Sequence, residues 1–283
     1  MMPSTIVLSH VQTQALARCR ATDAAGSDIS PDLGLTTVQV TVEAAGIRFP
    51  TGELLAWEAI DEINASENNC FLLKEGDIHK IIVFSEAMDR VYSLMPTHAA
   101  PTMLVSGIPM HRIKGTDPWK DTGEKIKAFQ SVTGQVLDTT TGLGYTAVMA
   151  ARTAERVITV ELDPAVLDIA QANPWSRDLF DNPRITQHIG DSFEVIQTFN
   201  DDAFSRIIHD PPMFKLAGDL YSRDFYEEAY RVLRRGGQMF HYVGDPESRS
   251  GRSVTRGVVR RLHEAGFTRV IERPRAFGVV AVK

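Results

Sequence analysis

The stretch Val136-Leu-Asp138-Thr-Thr-Thr-Gly142-Leu-Gly144-Tyr145 decides how this 283-residue chain folds. A short apolar run ends in an acid, two glycines follow one residue apart, and an Ala-rich segment, Tyr145–Arg152, continues with helical character. That order reads as strand, tight loop, helix. Glycine lets the backbone come close to a ligand at the start of a helix, where free N–H groups point outward.

Downstream, the same alternation repeats. Strands are expected at Val157–Val160, Ile185–Ile189, Arg206–His209 and Gln238–Val243, with helices at Pro164–Gln171, Ser192–Phe199, Ser222–Leu233 and Arg252–Ala265. Pro164 sits just inside its helix, and Gly236-Gly237 and Gly266 mark stops. Such alternation predicts an α/β fold, a parallel Rossmann-like sheet with helices on both faces. Two final strands, Thr268–Ile271 and Gly278–Val282, lie too close together for a helical crossover, so the last strand should run antiparallel.

Ligands of such sheets sit beyond the C-terminal strand ends, so the residues there are the candidates. The first strand gives Asp138, Thr140, Gly142 and Gly144. The second gives Glu161, 23 residues beyond Asp138, where a carboxylate can accept ribose hydroxyls. The third gives Gly190-Asp191-Ser192, placed to read an adenine amino group. The fourth gives His209-Asp210-Pro211-Pro212-Met213, and the fifth ends at His241 and Tyr242, with Asp245 beyond. Glycines that only tighten a turn and acids that only cap helices would explain each strand end singly. Four such ends in order point to a nucleoside site. A nicotinamide dinucleotide is disfavoured, because the loop lacks G-x-G-x-x-G and an antiparallel last strand is foreign to that fold.

On these residues, 131–283 resemble the class I S-adenosylmethionine-dependent methyltransferases. The resemblance implies that Asp138, Thr140, Gly142, Gly144, Glu161, Asp191 and Ser192 hold S-adenosyl-L-methionine. It implies further that Asp210-Pro211-Pro212, with Met213, faces an amino-group acceptor, Asp210 being catalytic; His241 and Tyr242, read from the fifth strand end, either line the substrate side or cap the sheet edge. Thr140 stands where the family usually has glycine, and Met213 where it has an aromatic residue. The whole chain also resembles predicted archaeal-type methyltransferases of unassigned substrate. Gly190–Phe199, Leu220–Tyr226 and Arg234–Gly237 are similar to stretches of spermidine synthases, which share the fold and transfer aminopropyl from decarboxylated S-adenosylmethionine.

Upstream of residue 130 the texture changes. Short β-type runs at Thr36–Val42, Gly46–Phe49, Leu54–Trp57, Cys70–Leu73, Ile81–Phe84 and Val91–Leu94 are separated by turns at Pro50-Thr51-Gly52 and Glu75-Gly76-Asp77, the latter a hairpin signal. They predict a small β-rich domain over 1–105, with a helix at Val11–Arg20. The Pro- and Gly-rich segment 106–130 reads as a linker, or as a lid offering His111, Arg112, Lys114 or Trp119, before a short helix at Asp121–Phe129. Residues 131–283 form the nucleoside-binding domain.

The net charge of −6 excludes recruitment by bulk positive charge. Residues 1–130 carry 11 Lys and Arg against 16 Asp and Glu, and the remainder 19 against 20. The acidic half favours a cationic acceptor. Arg249, Arg252, Arg256 and Arg260 recur at helical spacing opposite Val254, Val258 and Leu262, either as a solvated face or as a phosphate stripe. Two separated cysteines give neither a disulfide framework nor a zinc site, and no apolar run is long enough to span a membrane. The expectation is a cytoplasmic transferase without metal. Methyl transfer to an amino nitrogen of a small amine, RNA or protein is the first reading, with aminopropyl transfer and a non-catalytic nucleotide- or RNA-binding module as alternatives. A homodimer is left open.

Overall fold

The structure is a computed structural model that describes residues 5–22, 25–212 and 217–283. The chain divides into two compact units, 1–119 with 165–177, and 120–164 with 178–283.

The first unit holds β1 (Ile6–Leu8), α1 (His10–Thr22), β2 (Gly26–Ile29), β3 (Val38–Glu43), β4 (Gly46–Arg48), β5 (Leu54–Ala56), α2 (Trp57–Asn64), β6 (Phe71–Lys74), β7 (Asp77–Lys80), β8 (Ile82–Ser85), β9 (Arg90–Met95), β10 (Thr102–Val105) and β11 (Ile108–Pro109). These form three small sheets, ordered β1-β6-β7, β2-β3-β4-β5 and β11-β10-β9-β8, and every pairing within them is antiparallel. The hairpin signal at Glu75-Gly76 is a two-residue turn with both φ angles positive, 55° and 89°, which matches the twist of β6 and β7. One helix went unseen in the sequence. Trp57, read as the end of a strand, opens α2, because Trp57, Ile60 and Ile63 fall on one helical face and bury it. They join Leu16 of α1, Ile47, Leu55 and Phe71 in this unit's core.

The second unit is built on one seven-stranded sheet. Its elements are most of α3 (Pro118–Lys127), β12 (Gln135–Asp138), α4 (Tyr145–Ala150), β13 (Arg156–Glu161), α6 (Arg177–Asp181), β14 (Ile185–Ile189), α7 (Ser192–Gln197), β15 (Phe204–His209), α8 (Arg223–Val232), β16 (Leu233–Tyr242), α9 (Arg249–Glu264), β17 (Arg269–Arg273) and β18 (Gly278–Val282). Helix α5 (Pro164–Ala172) lies almost wholly in the first unit's segment. The strand order is β14-β13-β12-β15-β16-β18-β17, parallel throughout except that β18 runs antiparallel to both its neighbours. This is the Rossmann-like arrangement with a reversed last strand that the sequence predicts.

Alternation along the strands sends Leu137, Ile207, Met239, Val279 and Ala281 to the face covered by α7, α8 and α9. Phe240 takes the other face, where its ring meets Phe129 just beyond α3 at 6.3 Å. Helix α8 stops at Val232, one residue before the expected Leu233, and β16 begins at once, ahead of the expected strand start at Gln238. Leu233 is already paired with Phe204 and buried, and the register with β15 then shifts before Gln238 pairs with Arg206. On α9, Val258 and Leu262 are buried while Arg249, Arg252, Arg256 and Arg260 are exposed, so the stripe lies on the outer face.

Candidate active site

Parallel strands end together, so β12, β13 and β15 bring their C-terminal residues to one edge of the sheet. Asp138 closes β12 and is wholly buried. Its Oδ2 accepts hydrogen bonds from the hydroxyls of Thr146 (2.9 Å) and Thr159 (3.0 Å), while Oδ1 is buried with no partner among the described residues. Burial pushes this carboxyl up to about 8 against the two hydroxyls, and the negative charges of Asp210 and Glu161 push the same way.

The loop that follows is held by backbone geometry. Gly142 and Gly144 have φ of 53° and 74°, and Gly144 opens α4. A Cβ on Gly144 would come within 2.6 Å of the Leu179 side chain at a positive φ, so any other residue there is strained. The Gly142 N–H donates to Glu161 Oε2 at 2.9 Å, and the Asp163 N–H donates to Oε1 at 3.2 Å. Burial raises the Glu161 pKa, and these N–H donors oppose the rise. Loop and acid are therefore bonded to each other. The Thr140 hydroxyl donates to the Asp210 carbonyl at 2.9 Å.

At the third strand end, Asp191 is exposed and caps α7, accepting the Phe193 N–H at 2.7 Å. Ser192 is buried and its hydroxyl donates to the Thr139 carbonyl. At the fifth, Tyr242 lies under the Lys125 ammonium, 4.7 Å from the ring centre. Pro211 is buried, Pro212 is exposed with its carbonyl accepting the Tyr221 hydroxyl at 3.1 Å, and Met213 lies outside the described residues.

Asp210 is the centre of a cluster that sequence reading missed. Its Oδ2 accepts from Lys125 Nζ at 2.5 Å, and Lys125 also meets Asp121 one helical turn earlier, at 3.1 Å. Lys125 and Asp121 are almost fully buried, whereas the Asp210 side chain is 20% exposed. Burial alone would lower the Lys125 pKa, but the Asp210 and Asp121 carboxylates outweigh it and hold the ammonium charged. Burial raises the Asp210 pKa, and Lys125 opposes this. The available signal was the Asp121–Lys125 pair at i,i+4; nothing local linked it to a residue 85 positions away.

His209 and His241 do not face the strand-end cluster. His209 is buried, stacks on Phe225 at 4.7 Å, takes a hydrogen bond from the Thr139 hydroxyl on Nδ1 (2.7 Å) and donates from Nε2 to the Leu220 carbonyl (2.9 Å). Burial lowers it to about 3, so it is neutral. His241 is held between the Tyr226 hydroxyl and the Tyr242 carbonyl, and burial lowers it strongly. In the first unit, His111 bonds the Thr102 hydroxyl at 2.9 Å, and Trp119 packs edge-on to Trp175 at 5.3 Å. No cluster of metal-ligating side chains and no membrane-length apolar helix occurs among the described residues.

Residues 129–253 match the spermine/spermidine synthase domain family. The uncharacterized protein MJ1233 of Methanocaldococcus jannaschii is 42% identical over 238 residues, 83% of this chain and 81% of the relative. A polyamine aminopropyltransferase of Nitrosomonas europaea is 35% identical over 101 residues, 34% of this chain and only 30% of that protein. Among solved structures, a spermidine synthase in complex with the transition state analogue AdoDATO superimposes with a TM-score of 0.61 at 19% identity, covering 71% of each chain. The fold is thus the class I methyltransferase-like one. The chain belongs to the family of the Methanocaldococcus jannaschii protein MJ1233, and its residues 129–253 are similar to the spermine/spermidine synthase domain.

Proposed function

We propose that this protein transfers an aminopropyl group from decarboxylated S-adenosylmethionine to an amine acceptor. The observation that carries the reading is the match of residues 129–253 to the spermine/spermidine synthase domain, which spans every strand-end residue described above. It displaces methyl transfer as the leading expectation. The electrostatics agree. Glu161 and Asp210 stand at the strand ends, and the buried cation beside Asp210, Lys125, is already engaged by two carboxylates. A donor that has lost its carboxylate, leaving an ammonium and a sulfonium, suits such surroundings better than intact S-adenosylmethionine.

The residues fit that donor. Glu161 and the Gly142 backbone would hold its ribose, and the unpartnered Asp138 Oδ1 offers a polar contact to its amine-bearing arm. The donor supplies a carbon attached to positively charged sulfur, a leaving group already activated. Asp210 then orients the neutral acceptor amine, whose nitrogen lone pair forms the new N–C bond as the C–S bond breaks and methylthioadenosine departs with the sulfur electron pair, and Asp210 takes the proton that the alkylated nitrogen sheds. No covalent enzyme intermediate is needed.

The test is direct. The protein is incubated with a panel of diamines and polyamines and with either donor, and products are read by mass spectrometry. An aminopropyl increment with the decarboxylated donor is the expected result. A methyl increment with the intact donor alone would restore methyl transfer, and no product with either would favour a binding role.

A further inference from the structure

We propose that Lys125 is a positioning residue for Asp210: its buried, fixed ammonium occupies Oδ2, so that Oδ1 is the oxygen presented to the acceptor amine. This rests on the aminopropyl-transfer reading. Three features of the geometry converge on it.

First, the contact is directional. Nζ lies 2.5 Å from Asp210 Oδ2, and Oδ1 makes no hydrogen bond among the described residues. Because the Asp210 carbonyl is also tied to the Thr140 hydroxyl, the residue is fixed at both its backbone and one carboxylate oxygen. Second, Lys125 is itself immobilised. The Asp121 carboxylate pairs with the ammonium at 3.1 Å, and the Tyr242 ring receives the cation on its face at 4.7 Å. A lysine on the protein surface pays in side-chain entropy for any fixed geometry; this one, 3% exposed, has that freedom removed by packing. Third, the charges leave Asp210 in need of a cation. The groups that act on Asp210 are Lys125 and Asp121 on α3, Asp138 at the end of β12, and the phenol of Tyr221; Tyr242, at the end of β16, acts on Lys125. Two are acids. Without Lys125, burial and the Asp121 charge would push the Asp210 carboxyl further up.

The step Lys125 supports keeps its proton in place. The acceptor ammonium first loses a proton to bulk solvent. The amine then attacks carbon, and its second proton passes to Asp210 Oδ1 and on to water, while Lys125 stays an ammonium throughout.

The experiment compares Lys125→Met, Lys125→Arg and the double variant Lys125→Met/Asp121→Asn with the parent protein. The double variant guards against misfolding caused by two uncompensated buried acids. Three readouts are taken: the pH dependence of kcat/KM with the decarboxylated donor, the titration of the Asp210 carboxyl by carbon-13 NMR in the absence of any substrate, and the affinity for methylthioadenosine. The proposal expects the Asp210 titration in both Met-containing variants to move upward by about one pH unit or more, the acidic limb of kcat/KM to move with it, and kcat at neutral pH to fall about tenfold or more. Lys125→Arg should restore most of both, and the affinity for methylthioadenosine, measured by calorimetry, should stay within about twofold in all three. An unmoved Asp210 titration in a folded variant overturns the proposal. If the titration moves but neither donor is turned over by the parent protein, the positioning role stands and the aminopropyl-transfer reading fails.

Discussion

The Thr140 hydroxyl donates a hydrogen bond to the Asp210 backbone carbonyl at 2.9 Å, joining the loop after β12 to the turn after β15. The residue that departs from the glycine pattern of the loop thus sets the distance between the loop expected to hold the donor and the acid expected to face the acceptor.

Thr140→Val keeps the shape of the side chain and removes this bond. Unfolding in urea should show a loss of about 1 kcal/mol. Turnover should fall several-fold while affinity for methylthioadenosine holds, because the displaced group is Asp210 and not the ribose contact. A variant with parental turnover and normal stability would show that the bond positions nothing.

Glu161 is bonded to the Gly142 and Asp163 N–H groups. Glu161→Ala removes both bonds and the acceptor for ribose hydroxyls. Hydrogen bonds to a charged group are worth about 1.5–3 kcal/mol, so methylthioadenosine should bind roughly tenfold to hundredfold more weakly in calorimetry. Normal affinity would move the nucleoside away from β13.

Asp138 carries a sign that can be measured. Its carboxyl ordinarily titrates near 3.8 and is pushed up to about 8 by burial in the folded protein. The folded state therefore holds a proton that the unfolded state has released, and stability contributed by the neutral acid is lost as pH rises from about 4 to about 8. Asp138→Asn cannot ionise and can still accept from Thr146 and Thr159. The urea midpoint of the variant, relative to the parent, should climb between pH 5 and pH 8; a constant difference would mean that Asp138 is ionised throughout.

His209 has the opposite sign. Its imidazole ordinarily titrates near 6.5 and burial lowers it to about 3, so the stability that goes with the neutral ring is present above 6.5 and lost as pH falls towards 3. In nitrogen-15 NMR the resonance missing from His209→Gln should show a neutral ring with the proton on Nε2, unchanged from pH 8 to pH 5. A midpoint inside that window would make His209 a candidate acid or base.

Much of the second unit was legible because its signals are local. Asp138, Gly142 and Gly144 announce a strand, a loop and a helix within ten residues, and the short gap between the last two strands fixes the reversal of β18. Glu75-Gly76 announces a hairpin for the same reason: a turn with two positive φ angles has few sequences available to it. Helix α2 was lost because its apolar face is only three residues wide, and Leu54–Trp57 offers a competing strand pattern.

By itself, the sequence determined the order of strands and helices, the reversed last strand and the set of acids at the strand ends, since periodicity and turn chemistry act over a few residues. Only the tertiary structure decided what those acids do. It paired Asp210 with Lys125 across 85 positions, bonded Glu161 to the Gly142 backbone and turned His209 into a neutral core residue. Such pairings depend on which strand ends the sheet order makes neighbours and on how deeply each group is buried, and neither is written in any local stretch of the chain.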